Sequence, residues 1–261
     1  MKAEMSKHIK FTLNPIHWIK QIEFNIIGQI TRIGFPIGIQ FMTVFISLTL
    51  LQNMVSALGS SNLAAVTIVI RFIFILGLPV IAFTDAVTSI VGISLGAEKI
   101  KRAVRTSNYA IILSLLFTMF ITSLTTLFNH EIIMFFAEFE NSTDIEEVLR
   151  LGIIALKYII VIIFCWIPVF VYGGAFKGAG DTIPPLISGI IRSALIFLFF
   201  MANHPSMQVL PKFVLKSNPF ENILLITTIA FGIEGIIIFI WFHRKKWIEK
   251  SFLNMQRVSS Q

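Results

Sequence analysis

Six charged or strongly polar side chains fall in, or at the edge of, stretches otherwise too apolar to hold them: Gln40, Arg71, Asp85, Lys157, Arg192 and Glu234. In hydrocarbon such a group is costly unless it is paired or hydrated, so each marks a structural pair or a path for charge. Arg192 lies about 14 Å from one end of its apolar stretch, and Glu234 about 12 Å from the same end of the next, antiparallel one. The two depths agree. The pair is read either as a buried ion pair stapling a helical hairpin or as one that exchanges partners when a proton or cation arrives. Arg71 and Lys157 sit roughly 10–12 Å below the opposite surface, where two cations without a nearby acid repel in a dry site. A water-filled outward cavity resolves this for both, and snorkelling to the interface is the other resolution for Lys157. Asp85 lies about 21 Å along its helix from Arg71, too far to pair with it. It is either a solvated group at the helix end or a protonatable residue at a cavity floor. Gln40, one turn after Pro36, needs a polar partner, in substrate or in another helix.

Chemistry of other kinds has no foothold. His8, His17, His130, His204 and His243 are scattered outside the apolar stretches, and no His pair has metal-ligand spacing. No Ser sits in a nucleophile elbow. Cys165, between Phe164 and Trp166, reads as a small packed side chain. One Cys also excludes a disulfide framework. The expectation is a protein that is not an enzyme, with no catalytic residues, metal or cofactor.

The elements that position these residues follow from composition. Of 261 residues 56% are apolar and 13% charged, which is unlike a soluble domain. Six stretches are long enough to cross a bilayer: Ile33–Met54, Leu63–Thr84, Tyr109–Phe128, Leu151–Tyr172, Ile183–Met201 and Ile223–Phe242. Each must be helical, because hydrocarbon offers no partner to a free N–H or C=O, and no two-residue alternation suggests a barrel. The fold class is therefore all-α, a six-span bundle over 33–242, with a lead-in over 1–32 and a basic tail over 243–261. The second helical pattern continues to about Gly96, longer than the bilayer needs, so that helix tilts or projects.

Of the 21 Lys and Arg, fifteen fall on the side holding both termini, three on the other (Arg150, Lys212, Lys216) and three inside spans. That split places both termini in the cytoplasm of a multi-pass cell-membrane protein. The formal charge of +7 would suggest nucleic acid only if the cations formed one face, and they sort by loop instead, so the expected partner is membrane lipid and not nucleic acid. The lead-in carries Ile16, Ile19, Ile22, Ile26 and Ile30 at helical spacing, an interfacial amphipathic helix with Trp18 at headgroup depth. Trp241 and Trp247, flanking Arg244–Lys246, are expected to anchor the last span. Pro36 and Pro79 interrupt spans one and two, and Gly28, Gly34 and Gly38 prepare a close helix approach.

Gly173–Thr182 joins spans four and five and reads as a tight helix–helix turn. No strand precedes it and no Gly-Lys-Ser/Thr closes it, so it is not a phosphate loop. Gly178 and Gly180 can take positive φ, Asp181 or Thr182 caps the next helix, and Pro184 and Pro185 occupy its first turn. Lys177 alone has no capping role.

Gly174–Pro184 resembles the Gly-x-x-Arg-Gly-x-Gly-Asp-Thr-x-x-Pro turn of the multidrug and toxic compound extrusion (MATE) family, with Lys177 at the usual Arg. Ile33-Gly34-Phe35-Pro36-Ile37 resembles the Leu-Gly-x-Pro start of a lobe's first helix in that family. Val91-Gly92, Leu95-Gly96-Ala97, Lys99 and Arg102-Ala103 resemble the end of that lobe's second helix. The resemblance covers about Gly34 to Pro185. It implies one six-helix lobe, more like the second of two that enclose a central cavity and expel cationic organic compounds, multidrug substrates among them, against a proton or sodium gradient. The acid that some sodium-coupled members carry in the first span is missing here, so the coupling ion stays unassigned.

With no other six-span set in the sequence, one chain cannot close such a cavity. The implied function is an antiporter half that works with a small-molecule substrate as a homodimer or beside a separately made first lobe. Two other readings stand against it. One is a truncated membrane module without transport, and the other is a lipid or polysaccharide flippase of the same superfamily.

Overall fold

In the computed structural model, residues 24–139, 144–203 and 218–249 are described. They form seven helices and, among the described residues, no strand: α1 (Phe24–Ser56), α2 (Ser60–Gly96), α3 (Ile100–Leu127), α4 (Asn129–Phe139), α5 (Ile145–Gly178), α6 (Ile183–Asn203) and α7 (Pro219–His243). All but α4 are long and apolar enough to cross a membrane. Residues 1–23 of the lead-in, Trp18 among them, lie outside the described residues, as do Lys212, Lys216 and the tail beyond 249, while 24–32 form the start of α1.

Local chemistry explains the helix ends. The Asp144 side chain accepts from the Glu147 amide at 3.3 Å, Glu146 and Glu147 fill the first turn of α5, and Lys177 sits in its last, each charge complementing the helix dipole. Asn218 caps α7 through the Phe220 amide, with Pro219 at the first helical position. Gly59, at φ 126°, makes the reversal into α2. The 37 residues of α2 span about 55 Å, well beyond a hydrocarbon core of about 30 Å. The helix runs to Gly96, as its sequence pattern predicts.

The bundle is organised around α2 and α5, which pack closely along most of their length, with α7 against α5 and α3 against α2. α1 packs chiefly on α6. The buried residues of α1 (Thr43, Ser47, Leu48, Leu51, Met54, Val55) all lie in its second half. Two apolar cores result. One, from Leu51, Val66, Ile163 and Phe231, fills the end where α1 meets α2. The other, from Val91, Val171, Phe176 and Phe242, fills the opposite end, which carries Lys99–Arg105, Lys177 and Arg244–Lys246 and is called the basic end below.

α3 is built inside out. It buries Ala103, Ser107, Ala110, Ser114, Thr118, Thr122 and Thr125, and turns Leu116, Phe117 and Phe120 outward. Small residues let membrane helices approach, while large apolar ones face lipid at no cost.

Several expectations change. Close approach does not occur at Gly28, Gly34 or Gly38, where an added methyl would meet nothing within 4 Å. It occurs at Gly174 and Gly178, whose Cβ positions fall 2.6 Å from the Thr84 carbonyl oxygen and 2.4 Å from that of Thr88. The Thr88 hydroxyl also donates to the Gly174 carbonyl at 3.1 Å. Gly178 therefore serves backbone contact and remains helical. Of the two turn glycines, Gly180 is the one with positive φ, at 72°. The predicted turn over Gly173–Thr182 accordingly shrinks, because α5 continues six residues past Tyr172.

Trp247 is not an interfacial anchor. It is 1% exposed, stacks on Phe242 with ring centres 5.3 Å apart, and donates its indole N–H to the Phe242 carbonyl. A helical turn over 246–249, entered through Lys245 at φ 55°, folds it back under the bundle. Between α3 and α5 lies a short helix, α4, that the sequence pattern does not separate from its surroundings. α5 also contains an internal proline, Pro168, besides the Pro36 and Pro79 expected in α1 and α2.

Gly178→Ala is expected to lower stability in detergent by about 1–3 kcal/mol through overpacking. Gly34→Ala should leave it unchanged or slightly raised, through the better helix propensity of Ala. Thermal unfolding of both purified variants checks this.

Candidate functional site

The most developed polar constellation lies in the interior, where α1, α6 and α7 meet. α1 supplies Thr43 and Ser47, four residues apart and so on one face. α6 supplies Arg192 and Ser193, and α7 supplies Glu234. The guanidinium of Arg192 spends its donors in three directions: Nη1 to Glu234 Oε2 at 2.5 Å, Nη2 to the Thr43 hydroxyl at 2.9 Å, and Nε to the Ser47 hydroxyl at 3.3 Å. Its cationic centre lies 4.8 Å from the centroid of the Phe231 ring, a cation–π contact. Ser193 donates to the Thr43 carbonyl at 3.0 Å and lies 3.0 Å from the Ser47 hydroxyl. Arg192 and Glu234 are 1% and 0% exposed.

Gly189 lets these helices meet. A methyl there would stand 2.7 Å from the Thr43 hydroxyl and 3.6 Å from Glu234 Oε1. That second oxygen of Glu234 is buried without a hydrogen-bond partner. A carboxylate has room for about four hydrogen bonds, so Oε1 is the side-chain acceptor of this cluster left without one. Chemically, it is where a proton would add. Protonation there would remove the charge that holds Arg192 and leave the guanidinium to the Thr43 and Ser47 hydroxyls. The structure thus brings Arg192 and Glu234 together, at the matched depths their sequence positions indicate. Thr43, Ser47 and Ser193 escape a search for ionisable groups. Their signal was the polar series Gln40, Thr43, Ser47 at helical spacing within an apolar span.

A second group lies toward the basic end. Lys177, half-buried in the last turn of α5, holds its ammonium 5.2 Å from the centroid of the Phe41 ring on α1. Asp85, exposed on α2, is near enough for its charge to act on Lys177. Gln40, Phe41, Val44, Phe170, Lys177 and Arg192 help line a void of about 10 Å³, close to the room one water needs. Gln40 and Lys177 therefore border the same space as Arg192. Asp181 is buried beside the turn, and Gly180 supplies its positive φ. Arg71 and Lys157 are exposed on α2 and α5 and do not join either group.

Removing one member of the central pair leaves an uncompensated buried charge. Glu234→Gln alone should destabilise the protein by about 3–5 kcal/mol, and the double variant E234Q/R192M by much less. A double-mutant cycle of unfolding free energies in micelles measures the coupling, and additive losses would show that the two side chains do not depend on each other.

Comparison with known proteins adds a framework. The MatE family pattern matches residues 36–201. No curated protein matches the chain by the same standard. Among solved structures, a MATE protein in complex with MaL6 superposes with a TM-score of 0.75 at 18% identity, covering 88% of this chain and 49% of that one. A MOP-superfamily transporter from Pyrococcus furiosus, described as having a binding pocket of reverse polarity that suggests a different function, gives a TM-score of 0.73 at 17% identity over 88% and 48%. A MATE protein in the bent conformation gives 0.69 at 17% identity over 84% and 46%. The chain thus spans about half the length of each of these structures, and the likeness is one of fold.

Proposed function

The chain belongs to the multidrug and toxic compound extrusion family, and from that premise we propose that it acts as one six-helix lobe of a secondary active transporter. Members of the family are transporters, and six membrane-crossing helices in the fold of such a lobe suit a multi-pass membrane protein. The reading takes the function further. Cationic organic compounds would be exchanged against a proton or sodium gradient across the cell membrane, with both termini in the cytoplasm. The lobe would work against a second one, supplied by another copy or by a separate chain. Alternating access would then be rocking of the two lobes about a shared cavity.

The single observation that carries the proposal is the buried Arg192–Glu234 pair with a vacant carboxylate oxygen. A pair so desolvated is a poor way to gain stability alone, because well-packed apolar residues of the same volume generally serve as well or better. A carboxylate with one oxygen committed to a guanidinium and one open keeps an acceptor to which a proton can add, which is what coupling to a proton requires. The half-exposed first half of α1, with Phe41 on Lys177 and Asp85 at the rim, supports a cavity wall on that flank.

A different observation favours a different cargo. Arg71 and Lys157 are exposed against one exposed acid, Asp85, and Arg192 is balanced by Glu234, so positive charge prevails by one among these intramembrane groups. That suits an anionic substrate, as in a flippase of the same superfamily.

Proteoliposomes of the full chain separate these readings. Efflux of a cationic dye that collapses with the proton or sodium gradient, and is lost in E234Q, supports the antiporter. Movement of an anionic lipid analogue without dye efflux supports the flippase. No transport of either, alone or with any first-lobe partner, would identify a non-transporting module. Cysteines placed at Arg102 and His130 in a C165A background should label from opposite faces, with Arg102 reached from the cytoplasm.

A further inference from the structure

The start of α3 carries a charge arrangement that its own helix disfavours. Lys101 and Arg102 sit in the first turn, Lys99 precedes it and Arg105 follows, and no acid occupies that turn. Cations at a helix N-terminus oppose the dipole, so this placement needs an anion to offset it. Among the described residues, the side chains of Lys99, Lys101, Arg102 and Arg105 have no hydrogen bond or ion pair, and all four are exposed. With Glu98, Thr106 and Tyr109 they line an open groove of about 740 Å³ at the basic end. Glu98 is the one acid on it.

What lies beyond the groove selects the kind of anion. Arg102, Arg105, Tyr109, Leu113, Leu116 and Phe120 recur at three- and four-residue steps, hence along one stripe of the helix. Tyr109, Leu113, Leu116 and Phe120 are 58%, 52%, 60% and 62% exposed. The stripe therefore runs from paired guanidiniums, through an aromatic hydroxyl, to a bare apolar face, over about 27 Å. A soluble phosphate would engage the top of this sequence and leave the rest unused. A phospholipid engages all of it, with its phosphate on the arginines, its ester region at Tyr109 and an acyl chain along Leu113–Phe120. Small side chains hold the opposite face of α3 against the bundle, so the stripe is the face left to lipid.

We infer that the α2–α3 turn and the outer stripe of α3 form a binding site for an anionic phospholipid, with Arg102 and Arg105 as its phosphate ligands. A cationic cluster placed directly outside a membrane helix gains affinity for anionic headgroups with every charge. The site is separate from the α1–α6–α7 cluster and holds whether or not the chain transports.

The test is native mass spectrometry of the full chain released from mixed micelles containing phosphatidylglycerol and phosphatidylcholine with identical acyl chains. Phosphatidylglycerol should be retained at least about ten-fold more strongly. R102Q/R105Q should erase most of that preference, whereas K245Q/K246Q, which removes the same charge elsewhere on the basic end, should leave it. Equal retention of the two lipids, or equal loss in both variants, would overturn the assignment. So would full displacement of phosphatidylglycerol by millimolar inorganic phosphate, since that would mark a pocket for free anions. Should R102Q/R105Q fail to fold, the unmodified chain still decides: photoactivatable phosphatidylglycerol should crosslink within 100–120 in preference to its phosphatidylcholine counterpart, and absence of that preference refutes the site.

Discussion

The bundle depends on the contact between the backbones of α2 and α5. In a bilayer no hydrophobic force draws helices together, since lipid tails are as apolar as Leu, so association rests on close packing and on hydrogen bonds between helices. At Gly174 and Gly178 the missing side chains let α5 lie directly on the carbonyls of Thr84 and Thr88, and the Thr88 hydroxyl closes the seam. Everything else is arranged about that joint. α3 applies its small-residue face to α2, α7 packs on α5, and Tyr172 of α5 stacks on Phe242 of α7 with ring centres 3.9 Å apart.

The second joint is of another kind. Beside the apolar contacts of Leu51 and Phe199, α1, α6 and α7 meet at a cluster of Arg192, Glu234 and three hydroxyls. Here the contact is polar, and the helices are brought close by Gly189. Thr43 and Ser47 each also bond to carbonyls of their own helix, at Gln40 and Thr43, so their side chains are committed before Arg192 arrives. The cluster is therefore preorganised around the guanidinium, and one carboxylate oxygen is its least satisfied atom.

The hydropathy of the chain carries most of this architecture. All six spans are legible because hydrocarbon demands long apolar helices, and the depth match of Arg192 with Glu234 is legible because rise per residue is constant. What sequence spacing cannot convey is which face of a helix meets which neighbour. Gly28, Gly34 and Gly38 have the spacing of an interface, yet the contact falls at Gly174, Gly178 and Gly189, whose partners come from other helices. Trp247 has the composition of an anchor, but a single residue with positive φ, Lys245, turns it inward. The hydroxyls of Thr43 and Ser47 look unremarkable in a hydropathy scan because Thr and Ser are only mildly polar. Their role appears when α6 is laid across them.

The tucked position of Trp247 has a mechanical corollary. Its indole wedges against Phe242 and faces Phe176, so the last turn of α7 is locked to the last turn of α5, which is in turn fused to α2. Those three helices make a single stiff block. α1 and α6 pack on that block through apolar residues such as Leu51 and Phe199 and through one ion pair, Arg192–Glu234, among the described residues. Sliding of α6 along α7 would act directly on Glu234, which holds the ion pair between those two helices.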